Sequence, residues 1–129
     1  MKKMPKISES ELEVMRVLWE YNEPMTVTQL RQELDARLNW EASTTKTLLL
    51  RLYQKGAVSR EKAEGQSVYY YTPLVSREDY GSESADRLID KLFGGRAGNL
   101  VASLLRSNKL TQEDIAELRE MWDDEIKGE

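Results

Sequence analysis

Between residues 40 and 55 the chain sets Ser43, Thr44, Thr47, Arg51 and Gln54 at intervals that bring them together once per helical turn. At about 100° per residue these positions share one side of a helix. Short hydroxyls, an amide and a guanidinium are groups that hydrogen-bond to base edges in a DNA major groove. Leu50 falls among them. The opposite side collects Thr45, Leu48, Leu49, Leu52 and Tyr53, an apolar stripe suited to a core. One segment thus combines an anchoring face with a reading face. Gly56 is placed to close it, so the spacing predicts a helix over 42–55.

Other chemistries are poorly supplied. The 129 residues include no Cys and no His, which removes thiol nucleophiles, disulfides, imidazole bases and the usual zinc sites. No group of carboxylates, lysines or hydroxyls has catalytic spacing, so neither an enzyme nor a cofactor nor a metal centre is expected. No apolar run approaches the ~20 residues that span a bilayer. Met1-Lys2-Lys3-Met4-Pro5-Lys6 leads into a polar helix rather than a signal-peptide core. The expectation is a soluble, cytoplasmic chain without membrane insertion.

A net charge of −4 argues against a nucleic-acid partner until its distribution is read. Residues 1–73 carry eleven Lys and Arg against ten Asp and Glu, whereas residues 74–129 carry eight against thirteen. Within 40–62, Lys46, Arg51, Lys55, Arg60 and Lys62 face only Glu41 and Glu61. Positive charge therefore gathers at the reading helix and just after it. An ordinary mixed-charge surface is the plainer interpretation of the same numbers.

The elements that must position this helix announce their starts. Ser8-Glu9-Ser10-Glu11 and Thr26-Val27-Thr28-Gln29 are capping boxes, flanked by Ile7 and Leu12 and by Met25 and Leu30 as hydrophobic staples. Ser76-Arg77-Glu78-Asp79 and Thr111-Gln112-Glu113-Asp114 are variants of the same device. The first helix is expected over about 9–21, with Leu12, Met15, Leu18 and Trp19 inward, broken by Asn22-Glu23-Pro24. A second runs over 27–38, burying Val27, Leu30, Leu34 and Leu38. Asn39-Trp40-Glu41 makes a helix-turn-helix corner with Trp40 as a core plug. Residues 58–62 and 67–72 alternate as strands about a turn at Ala63-Glu64-Gly65-Gln66. This hairpin serves either as a wing, with Arg60, Lys62 and Gln66 near phosphates, or as a lid on the core with its charges solvated.

The fold class expected is mainly α: a winged helix-turn-helix domain over 1–73, followed by a three-helix dimerisation domain over 74–129. Three apolar stripes mark the second part. They comprise Ala85, Leu88, Ile89, Leu92 and Phe93; Ala97, Leu100, Val101, Leu104 and Leu105; and Ile115, Leu118, Met121, Trp122 and Ile126. About 50 residues build a poor core alone. The stripes either meet those of a second copy or fold back on the first domain. A homodimer also explains how a small module gains enough contacts for specific binding.

The chain resembles the BlaI/MecI penicillinase-repressor family, which also includes the copper-responsive CopY repressors. The likeness is carried by residues 7–19, by Trp40 with Ser43-Thr44-Thr45-Lys46-Thr47-Leu48-Leu49-Leu50-Arg51-Leu52 and Lys55-Gly56, by Val68-Tyr69-Tyr70-Tyr71-Thr72-Pro73, and by residues 110–118. It implies a dimeric transcriptional repressor that binds a palindromic double-stranded operator through the winged domain. Carried over, Thr44, Lys46, Thr47 and Arg51 contact DNA, helped by Ser43 and the wing. Two departures stand out. The copper branch's paired cysteines are missing, so thiolate copper sensing is not inherited. The antibiotic-responsive branch is released when a membrane sensor protease triggers cleavage of an Asn-Phe bond, and the matching position here is Ser103-Leu104. A winged helix used for protein assembly is the competing function class; the polar face of Thr44, Thr47 and Arg51 lacks the apolar anchors such an interface needs.

Overall fold

The computed structural model describes residues 4–127; Met1-Lys2-Lys3 and Gly128-Glu129 lie outside them. The chain divides into two compact units, Met1–Glu83 and Ser84–Glu129.

In the first unit, α1 (Glu9–Tyr21), α2 (Val27–Leu38) and α3 (Ala42–Lys55) are followed by an antiparallel hairpin of β1 (Val58–Lys62) and β2 (Tyr69–Pro73). The helix starts are local in origin. The Ser8 hydroxyl accepts the Glu11 N–H at 3.2 Å while Glu11 accepts the Ser8 N–H at 2.9 Å. Thr26 and Gln29 repeat that exchange at the start of α2. Both α1 and α2 end on an asparagine in the left-handed region, Asn22 at φ 56° and Asn39 at φ 54°. Asn tolerates that region because its short amide bonds locally. Asn22 therefore stops α1 before Pro24 is reached.

Val14, Met15, Val17, Leu18, Met25, Leu30, Leu34, Leu48, Leu49, Leu52, Ala57, Val58 and Tyr71 form the core, with Ile7, Trp19, Val27, Trp40 and Tyr69 packed around it. Met25, in the link between α1 and α2, pairs with Tyr71 through two backbone hydrogen bonds of 3.0 and 2.8 Å. The hairpin is thus stitched to the helical layer. The start of α4 (Arg77–Phe93) belongs to this unit: Val75 accepts the Trp19 indole N–H at 2.8 Å and Tyr80 stacks at a tilt on the Trp19 ring.

Three expectations need correction. Leu38 is exposed, because Asn39 turns the chain away one residue after it. Tyr53 is 40% exposed, at the rim of the apolar face rather than within it. β2 begins at Tyr69, not Ser67, since β1 ends at Lys62 and pairs there with Tyr69; Val68 is left exposed in the loop.

The second unit contains the rest of α4, α5 (Ala97–Arg106), α6 (Gln112–Trp122) and a π-helical turn, Asp123–Lys127. Thr111 and Asp114 form a full capping box on α6. Among the described residues, none of α4, α5 or α6 is buried. Leu88, Leu92, Val101, Leu105, Ile115, Leu118, Met121 and Trp122 are exposed, and Ile89, Phe93, Leu100 and Leu104 are half-buried. Ile126 falls in the π turn, and its side chain lies outside the described residues.

Candidate nucleic-acid interface

α3 is held by its ends and by one face. Glu41 is its N-cap without a side-chain bond, so the entry rests on Thr44 N–H to the Glu41 carbonyl at 3.0 Å. Its exit is a Schellman motif: Gly56 (φ 79°) donates to Tyr53, and Ala57 donates to Leu52. Thr45, Leu48, Leu49 and Leu52 are buried in the core. Ser43, Lys46, Thr47, Leu50, Arg51 and Gln54 are exposed, and Thr44 is half-buried. The two faces read from the spacing are those the fold separates.

Ser43, Thr44, Thr47 and Arg51 line one shallow cleft together with Ser8, Ser10 and Leu48. The Thr47 hydroxyl donates to the Ser43 carbonyl at 3.0 Å, which orients its oxygen as an acceptor. Lys46 stands at the flank of this face, where an ammonium suits phosphate better than a base edge. Gln66 and Lys62 are exposed on the hairpin. Gly65, at φ 77°, supplies the left-handed residue that its turn requires, and Gln66 N–H closes the turn on the Ala63 carbonyl.

Three of the expected cations are already engaged within the protein. The Arg60 guanidinium lies against both the Tyr53 ring at 4.1 Å and the Tyr69 ring at 4.3 Å, and the Lys62 ammonium stands 4.9 Å from the Tyr69 ring. A hydrogen bond to Tyr71 raises the Arg60 pKa further, ahead of the burial that opposes it; its charge is permanent. Lys55 donates to the Lys6 carbonyl at 2.7 Å and forms an ion pair with Glu11, whose side chain is 2% exposed. Sequence reasoning missed Glu11 because its place in a capping box accounts for an acidic residue without any tertiary partner. It also left Leu50 unassigned, although the spacing puts it on the exposed face.

Among the described residues no group of three or more acidic side chains is placed to hold a metal ion. Among those residues no helix is long and apolar enough to cross a membrane.

The family model for the penicillinase repressors matches residues 7–124. The chain belongs to the penicillinase repressor family. It is 34% identical over 124 residues to the penicillinase repressor of Bacillus licheniformis, covering 96% of this chain and 94% of that protein. It is 30% identical over 113 residues to the methicillin resistance regulatory protein MecI of Mammaliicoccus sciuri, covering 88% and 89%. The DNA-binding domain of the repressor BlaI superposes with a TM-score of 0.53 at 42% identity, over 62% of this chain and 94% of that one. The monomeric form of Bacillus licheniformis BlaI in complex with the blaP half-operator superposes with a TM-score of 0.52 at 40% identity, with the same coverage. The first unit is therefore a winged helix-turn-helix, and its relatives are transcriptional repressors.

Proposed function

We propose that the chain is a dimeric, sequence-specific transcriptional repressor that inserts α3 into the major groove of each half of a palindromic operator. The observation that carries this reading is the polar face of α3, presented outward by a helix whose other face is buried through Thr45, Leu48, Leu49 and Leu52. Arg51, Thr47, Thr44 and Ser43 read base edges, Lys46 meets phosphate, and the hairpin approaches the backbone with Lys62, Gln66 and the edge of Arg60. Leu50 points away from the core and is suited to a thymine methyl, the apolar feature of that groove. Residues 1–73 carry this work and residues 74–129 the dimerisation.

Dimerisation is supported by the second unit's lack of buried residues among those described in its helices. Leu88, Ile89, Leu92, Phe93, Leu100, Val101, Leu104, Leu105, Ile115, Leu118 and Trp122 supply a surface that a second copy would cover. Release follows from hydrolysis at or near the Ser103–Leu104 bond by a membrane-anchored sensor protease. The bond lies inside α5 with both side chains half-buried, so cleavage requires local opening of that helix. Severing the dimerisation helices removes the avidity of two half-sites without touching the reading face.

A genomic binding-site selection at physiological salt, with Arg51→Ala in parallel, tests the reading. A palindrome recovered by the wild type is expected, with Arg51→Ala weaker by about 1–3 kcal/mol on it. Recovery of no enriched sequence would overturn the reading in favour of a protein partner.

A further inference from the structure

Glu11 is a carboxylate 1% exposed, and such burial is more than a helix cap requires. One of its oxygens accepts both the Ser8 N–H at 2.9 Å and the Lys55 ammonium. Lys55, in the last turn of α3, also reaches the Lys6 carbonyl at 2.7 Å. Three backbone regions converge on this pair: the chain entering α1, the first turn of α1, and the last turn of α3. A buried carboxylate is stable only with its partners in place, so the pair fixes where α3 ends relative to α1. Arg60, against Tyr53 and Tyr69, ties the same last turns of α3 to the hairpin.

We infer that Glu11 and Lys55 are positioning residues for DNA recognition: the ion pair between the buried Glu11 carboxylate and the partly exposed Lys55 ammonium latches the last turn of α3 to the start of α1 and sets the angle at which the reading face is presented. Lys55 is thereby an internal fastener rather than a phosphate ligand. The inference rests on the reading of α3 as the recognition helix. A helix anchored on one side by packing still rolls or tilts about that face, and a base contact tolerates only a fraction of an ångström. The latch removes that freedom at the C-terminal end of α3.

Salt dependence separates the two roles of Lys55. Removing a side chain that neutralises one phosphate lowers the slope of log K against log salt by about 0.9, whereas removing an internal fastener leaves the slope alone. The test uses the full chain, the duplex recovered in the site selection and a scrambled duplex of equal length. Wild type, Glu11→Gln, Lys55→Met, Lys55→Arg and the Glu11→Gln/Lys55→Met double variant are titrated at several salt concentrations, well below their melting temperatures. The expected result is a drop of about tenfold or more in specific affinity for Glu11→Gln and Lys55→Met, with scrambled-duplex affinity and salt slope unchanged. The double variant should bind no worse than Lys55→Met alone, and Lys55→Arg should restore binding. A slope reduced in Lys55→Met, with Glu11→Gln binding as well as or better than wild type, would overturn the inference, since a freed lysine would then be reaching phosphate. Unchanged specific affinity in every variant would reduce the pair to support of the fold and also overturn it. Amide exchange at Leu52 to Ala57 is read alongside, without DNA. Faster exchange in Glu11→Gln sustains the latch even if no duplex is recovered and the recognition reading fails; unchanged exchange rejects the latch independently.

Discussion

Single buried polar atoms carry consequences that their neighbours on the surface do not. Burial pushes the Glu11 carboxyl pKa up, but the Lys55 ammonium and the Ser8 N–H and hydroxyl pull harder, and the net position is below the ordinary value of 4.5. A carboxyl whose folded pKa lies below its unfolded one stabilises the fold above the unfolded value, and that stabilisation is lost as pH falls through the folded value. Glu11→Gln should therefore lower stability at neutral pH, by about 1–2 kcal/mol given the partial exposure of Lys55. The gap to wild type should close as pH drops below 4.5. Urea unfolding of both proteins across that interval checks this, and a gap that widened in acid would contradict it. Thr45 is the second case: fully buried in the core face of α3, its hydroxyl has no hydrogen-bond partner among the described residues. The isosteric Thr45→Val removes an unpaired polar group and should raise stability by about 1 kcal/mol, measured as an upward shift in thermal midpoint. A lower midpoint would mean that the hydroxyl is bonded in solution.

The elements divide into those whose form is local and one whose placement is not. α1, α2 and α6 start on side-chain boxes written within four residues of sequence, so their positions are legible without any tertiary information. The hairpin depends on remote partners. Met25 extends its pairing from the link before α2, and Arg60 of β1, stacked on Tyr69 of β2, joins it to α3 through Tyr53. Alternation places the start of β2 two residues too early because it does not state where β1 stops. Tyr69→Leu takes one aromatic face from Arg60 and should loosen the hairpin against α3. The expected cost is about 1 kcal/mol in operator binding, with the thermal midpoint almost unchanged because Tyr69 is only half-buried. Titration on the selected duplex checks it; equal affinity would show that the Tyr69 ring does not set the hairpin's angle.

Across the whole molecule, charge and burial are distributed unevenly. The first unit owns the buried core, while α4, α5 and α6 hold apolar side chains at the surface, Leu92 at 69% and Trp122 at 64% exposure. Helices so arranged gain most from a partner. Leu92→Glu places a charge in the proposed dimer surface and should shift the protein to monomers at micromolar concentration, read by sedimentation. Affinity for a duplex with two half-sites should then fall on the order of a hundredfold, while affinity for one half-site stays the same. A variant that remained dimeric and bound both duplexes like wild type would remove Leu92 from the interface.

The helices, their capped starts and the two faces of α3 are encoded locally, because each depends on contacts within about one turn and on a 3.6-residue period. Arg51, Thr47, Thr44 and Ser43 form one group for the same reason, since a shared helix face needs no partner element to define it. Which of the nearby cations are free is settled by the fold instead. Lys55 and Arg60 look the same as Lys46 in a charge count, yet one is paired with Glu11, 44 residues earlier in the chain, and the other is held against two tyrosine rings. Such pairings join residues far apart in the chain, and no local period encodes them.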